Sequence, residues 1–170
     1  MNEHISQMWS YFLLVIMMVI GVYIYLIQFD RTLENNIVDK TGMFVNECQT
    51  TGMISTSNYN QFTKEIYRMG HYSIEMEYHS IKSYPQTDAS GKVTGFFRDY
   101  YTYNNEDILN AMFTSAENYD YTMKTGDILT VKVRRHGTTK VNIFKALFNM
   151  DLSETIVVTY SGTIGNNTSR

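Results

Sequence analysis

Tyr11–Phe29 reads YFLLVIMMVIGVYIYLIQF, nineteen positions without one charged residue. Wound as a helix, the stretch is roughly 28 Å long, the thickness of a bilayer's hydrocarbon core. Trp9 and Tyr11 stand at one end and Tyr23 and Tyr25 at the other. Amphipathic rings of this kind favour the headgroup zones. A core helix of a soluble domain rarely runs so far without a polar break. The stretch therefore predicts a membrane span, residues 11–29, and the lipid bilayer as the first partner of the chain.

A cleavable leader has a basic start, a shorter apolar run and small residues before the cut. The first ten residues hold no Lys or Arg, and Leu26-Ile27-Gln28-Phe29-Asp30 offers no small-residue site. The expectation is a retained anchor. About 140 residues remain for one folded unit. A net charge of −3 leaves no broad basic footprint, so nucleic acid is not expected as a partner. One cysteine, Cys48, excludes an internal disulfide framework.

Beyond the span the helical period persists. Phe29, Leu33, Ile37, Phe44 and Cys48 recur at three- and four-residue spacings, with charged residues on other faces. The pattern predicts one helix over about 5–48, or two helices broken at Thr41-Gly42. Gly52 supplies the stop, and Ser55, Thr56 or Ser57 can cap a second helix over about 57–69. Tyr72, Ile74, Met76 and Tyr78 then alternate with Ser73, Glu75, Glu77 and His79, a half-buried strand expected to end before Pro85. Residues 86–103 read as a hairpin or an ordered loop carrying Phe96, Phe97, Tyr100, Tyr101 and Tyr103. A third helix is expected over about 106–118, a strand around 129–134, a fourth helix over about 140–149 and a last strand over about 155–164. The fold class is α+β: a long N-terminal transmembrane helix continuing into a head of about three antiparallel or mixed strands covered by helices.

Three stretches carry a resemblance. They are Phe44-Val45-Asn46-Glu47 through Gly52-Met53-Ile54 into Tyr59 and then Tyr72–Tyr78, next Gly126–Arg134, and last Ile156-Val157-Val158-Thr159-Tyr160-Ser161-Gly162. In this order they resemble the minor-pilin-like proteins of tight-adherence (Tad, type IVb) pilus loci in Gram-positive bacteria, a relative of the TadE-like group. The resemblance implies a pilin-like design: a cytoplasmic tail over 1–10, an extracytoplasmic head over 30–170, and other pilin or secretion-apparatus subunits as partners. The charge bias runs the other way, since the nearest basic residues, Arg31 and Lys40, follow the span. Substrates of prepilin peptidases usually carry a small residue before the cut and a Glu at the fifth mature position. Here no Gly lies in the first twenty residues and the only nearby acid is Glu3. The implied role is thus an unprocessed, membrane-resident accessory subunit. A scaffold of a conjugation-type (type IV secretion) transfer channel is the alternative.

Signals for chemistry are sparse. Glu75, Glu77 and His79 share one strand face at a spacing that could offer ligands, but no second His or Cys cluster completes a metal site. Lys132 and Arg134 on a neighbouring strand would turn the same residues into cross-strand charge pairs. Cys48 on an apolar helix face reads as packing. No phosphate loop, paired-carboxylate motif or nucleophile elbow occurs, so the expectation is a non-enzymatic protein with no cofactor and no small-molecule substrate. Gly21, the only small residue of the span, is the candidate for close helix packing. Tyr100, Tyr101, Tyr103, Lys132, Arg134 and Arg135 are the candidates for an interaction surface.

Overall fold

A computed structural model describes residues 2–114, 119–150 and 157–165. The chain divides into two compact units, Met1–Asn36 with Gly137–Thr155, and Ile37–His136 with Ile156–Arg170. The helix α1, Asn2–Thr51, is continuous through Thr41-Gly42, which selects the one-helix reading. Burial of Ile37, Phe44, Val45 and Cys48 in the core holds the helix through this point. The Thr41 hydroxyl donates to the Ile37 carbonyl at 2.7 Å, inside the helix ladder. Gly42 lies under the Tyr160 ring, where a Cβ would come within 3.2 Å. The glycine is a seat for an aromatic ring. Gly52, at φ +70°, then ends the helix by donating to the Cys48 carbonyl at 2.9 Å.

In the first unit, α1 is long and apolar enough to cross a membrane. Met8, Met17 and Tyr25 are 65%, 74% and 64% exposed, so no described residue covers the helix at these positions. The short helix α4, Lys140–Leu147, belongs to the same unit.

The second unit is an antiparallel sheet with helices on one face. After β1 (Met53–Ile54) and α2 (Thr56–Met69) come β2 (Tyr72–Thr87), β3 (Val93–Tyr103) and α3 (Asn105–Phe113). The chain continues through β4 (Tyr121–Thr122), β5 (Ile128–Arg135) and β6 (Val157–Thr163). The main sheet has the order β3-β2-β5-β6, and β1 pairs separately with β4. Four strands pair where about three were expected, because 86–103 resolves as the second arm of a hairpin. Part of the third helix (115–118) and the start of the last strand (155–156) lie outside the described residues, as does most of the tail.

Strand alternation builds the core. Tyr72, Ile74, Met76 and Tyr78 of β2, Leu129, Val131 and Val133 of β5 and Val158 of β6 point to one side. There they meet Ile37, Phe44, Val45 and Cys48 of α1, Tyr59, Phe62 and Ile66 of α2, and Ile108 and Met112 of α3. Phe44 and Phe62 stack with centroids 4.5 Å apart and planes 6° from parallel. Full burial stabilises each large side chain by about 1.5–3 kcal/mol.

Two expectations fail for identifiable reasons. β2 does not stop before Pro85 but runs to Thr87, with Pro85 opposite Phe96. β5 pairs with β2 only as far as His79. Pro85 therefore lies where β2 has a single partner strand, and its missing donor need not break a ladder. The α2 cap is not a local hydroxyl. Ser55 stands at the cap position without a side-chain bond, and Asp120 accepts from the Thr56 N–H at 2.9 Å from 64 residues away.

Burial pushes the Cys48 thiol up from 9.0 to about 12, with Glu47 adding to the shift. Burial likewise pushes the Tyr121 hydroxyl up from 10.0 to about 12. Both groups hold their protons more tightly when folded. Their contribution to stability is fully present below the unfolded values of 9.0 and 10.0, and is lost as pH rises towards 12. A thiol reagent at about pH 8 is expected to leave the native protein unmodified and to react once denaturant is added. Rapid labelling of the native chain would contradict the burial.

Candidate functional site

The hairpin of β2 and β3 carries the most unusual surface of the sheet unit. A five-residue reversal, 88–92, closes it through Asp88. One carboxylate oxygen of Asp88 accepts from the Ser90 N–H at 2.8 Å, the Ser90 hydroxyl at 2.5 Å and the Lys92 N–H at 3.0 Å. These bonds hold the carboxyl below its ordinary range, the Ser90 hydroxyl most of all. Gly91 takes φ +82° at the turn, a conformation that favours glycine.

Past Ser80 the hairpin outruns its helical cover. Register places Tyr103 against Tyr78, Tyr101 against Ser80, and Phe97 against Tyr84. By alternation these residues continue the core face of the sheet. Tyr103 is half-buried and stacks on Tyr78 at 5.6 Å, so it belongs to the core margin. Further out the same face is open, with Tyr84, Phe97 and Tyr101 exposed. Lys82 Nζ lies 4.3 Å above the Tyr101 ring. Hydrogen bonding with Tyr84, then with Asp99, pushes the Tyr101 hydroxyl above its ordinary range. The reverse face adds Phe96 and Tyr100, 70% and 67% exposed. Of the two readings of 86–103, hairpin or ordered loop, the structure takes the hairpin, and the aromatic group stands on its second strand with side chains on both faces.

Strand edges matter as much as rings. β3 is an outer strand of the sheet, and β2 beyond His79 pairs only with β3. The β3 edge can therefore receive another strand, whereas the β2 edge is blunted by Pro85 and by the Ile81 N–H already held by Asp127. Phe96, Phe97 and Tyr100 stand exposed along this hairpin.

The basic candidates do not gather into one patch. Lys132 Nζ donates to Glu77 Oε1 at 2.7 Å, one of the cross-strand charge pairs that the alternation predicted. The bond runs diagonally, since Lys132 stands directly opposite Glu75. Arg134 is exposed opposite Ser73, whereas Arg135 is half-buried opposite Tyr72. Alternation thus separates Arg135 from the other two. His79 bonds Thr102 across the hairpin at 3.0 Å and lies 3.8 Å from Glu77. Gly21 is open, with nothing within 4 Å of the place its Cβ would occupy.

One residue that the sequence reading did not single out organises the base of the hairpin. Asp127 is 1% exposed. Its carboxylate accepts from the Tyr78 hydroxyl and, at 3.0 Å, from the Ile81 N–H. Its carbonyl accepts from the Ile164 N–H at 2.8 Å. Burial first, then the bond to Asp127, raises the Tyr78 hydroxyl above its ordinary range. An Asp after Gly126 reads in sequence as an ordinary turn, and no periodicity marks it. Comparison with protein-family models, curated proteins and solved structures finds no match for the chain.

Proposed function

We propose that the protein is a single-span, non-enzymatic accessory subunit of a Tad-type pilus or related secretion apparatus, with its sheet unit outside the cytoplasm. The observation that carries the reading is α1 itself. One unbroken helix is apolar and largely exposed over its first half and packed into an antiparallel sheet unit over Ile37–Cys48. A membrane helix that continues as the buttress of a small α+β unit is the pilin-like design. The exposed aromatic hairpin supplies the contact to a neighbouring subunit. Burial of the single thiol supports a structural role for Cys48.

A transfer-channel scaffold is the second reading. It is favoured by one feature: α1, α2 and α3 all feed the same sheet face.

The test is to delete the gene in the native host, shear surface filaments from the cells and compare the yield. Loss of filaments, with the wild-type protein at full-length mass in the membrane fraction, is the expected result. Unchanged filament yield together with unchanged secretion would overturn the reading. Within that assay, a Phe96→Ser, Phe97→Ser, Tyr100→Ser variant is expected to lose assembly as the deletion does. All three rings are largely exposed, so its stability should stay within about 1.5 kcal/mol of wild type, about 0.5 kcal/mol for each substitution.

A further inference from the structure

The helix α4 does not look like a covering helix of a sheet. The spacing of Val141, Phe144, Leu147 and Phe148 puts them towards one side of the helix. Val141 is buried, yet Leu147 and Phe148 are 76% and 54% exposed, and so are Ile143 at 56% and Met150 at 48%. The described contacts of α4 are with α1. The Asp30 carboxylate, in a residue only 8% exposed, accepts from the Val141 N–H at 3.1 Å. Thr139 caps the next position, accepting from the Asn142 N–H at 2.9 Å. Lys140 Nζ lies 3.9 Å above the Phe29 ring. One turn on, Phe144 stacks on Tyr23 at 5.4 Å.

These pairings fix a direction. The start of α4 is level with Phe29 and Asp30, at the end of the apolar run, and its middle is level with Tyr23, inside that run. The helix therefore runs back along α1 towards the lipid-facing segment. Its only charges, Lys140 and Lys145, precede an uncharged end, Ala146-Leu147-Phe148-Asn149-Met150. Amphipathic helices of this composition lie in the headgroup and acyl boundary with their apolar side in lipid.

We propose that α4 is an interfacial helix, seated in the bilayer leaflet nearest Asp30, with Ile143, Leu147, Phe148 and Met150 in contact with lipid. Asp30 is the pin that ties the start of α4 to the end of the span. The two elements together set how deep α1 sits. The inference rests on the membrane-anchor reading of α1. Its occupant is a lipid surface because the exposed face is continuous, at Tyr23 and Phe144, with the uncovered surface of the span.

The experiment uses the full chain reconstituted in phosphatidylcholine–phosphatidylglycerol vesicles. Trp9→Phe removes the native reporter, and Leu147→Trp places a new one at an exposed position. Phe148→Trp serves as an independent second reporter. Lipids brominated near the headgroup end of the acyl chain are expected to quench both reporters strongly and to accompany blue-shifted emission. Adding Asp30→Ala is expected to lower that quenching while the chain stays with the vesicles. A chain that floats with vesicles but leaves both reporters unquenched and water-like would overturn the proposal and leave the anchor standing. A chain that does not float with vesicles would overturn the anchor reading and, with it, the proposal.

Discussion

Replacing Asp127 with alanine is expected to destabilise the sheet unit by about 3 kcal/mol, the largest effect of any single polar substitution proposed for this unit. Two donors, the buried Tyr78 hydroxyl and the partly buried Ile81 N–H, lose their acceptor at once. Each such orphan costs about 1–3 kcal/mol, because its water is not restored. Tyr78 is also a hub, accepting from the Lys124 N–H at 3.2 Å and packing between Tyr103 and Tyr121. Its displacement would loosen the root of the hairpin. Hydrogen exchange of the full chain in detergent reads this directly. Amides of β2 and β5 should exchange on the order of a hundredfold faster in the variant. The Tyr78→Phe change removes one of the two donors, so the double variant should cost less than the sum of the singles. Unchanged protection in Asp127→Ala would mean that the carboxylate is not the organising acceptor.

The second large effect concerns the span. Ile16 and Ile20 lie one turn apart near its centre, and both are exposed. Arginine at the centre of a membrane helix costs about 2.5–3.5 kcal/mol per residue on insertion scales. The pair Ile16→Arg, Ile20→Arg should therefore oppose insertion by about 5–7 kcal/mol. After alkaline extraction of membranes, the wild type is expected in the pellet and the double variant in the soluble or aggregated fraction. The Ile16→Ala, Ile20→Ala pair should stay with the membrane. Equal retention of the arginine variant would mean that this surface is covered by protein, not lipid.

Legibility in the sequence followed periodicity. The long helix, the Tyr72–Tyr78 alternation and the Leu129–Val133 alternation were readable because one face of each is buried. Their side chains record that face at period 3.6 or 2. The features that escaped depend on partners far along the chain. Asp120 caps α2 across 64 residues, and Asp127 gathers Tyr78 and Ile81 from another strand. No local pattern encodes either contact. Pro85 misled because proline's cost in a strand depends on whether a ladder is present on its N–H side. Leu147 and Phe148 show a different ambiguity. An apolar stripe specifies burial but not the medium, and a lipid-facing stripe is spelled like a core-facing one. The same ambiguity touches the candidate surface: composition marked Tyr100, Tyr101 and Tyr103 together, while the pleat assigns Tyr103 to the core margin.

Protease digestion of right-side-out and inverted membrane vesicles tests the central claim most directly, namely one crossing with the sheet unit outside the cytoplasm. In right-side-out vesicles the account predicts loss of the sheet unit and survival of a short fragment containing Tyr11–Phe29; in inverted vesicles the sheet unit should survive. Protection of the sheet unit in right-side-out vesicles, or digestion of the whole chain in both preparations, would contradict it.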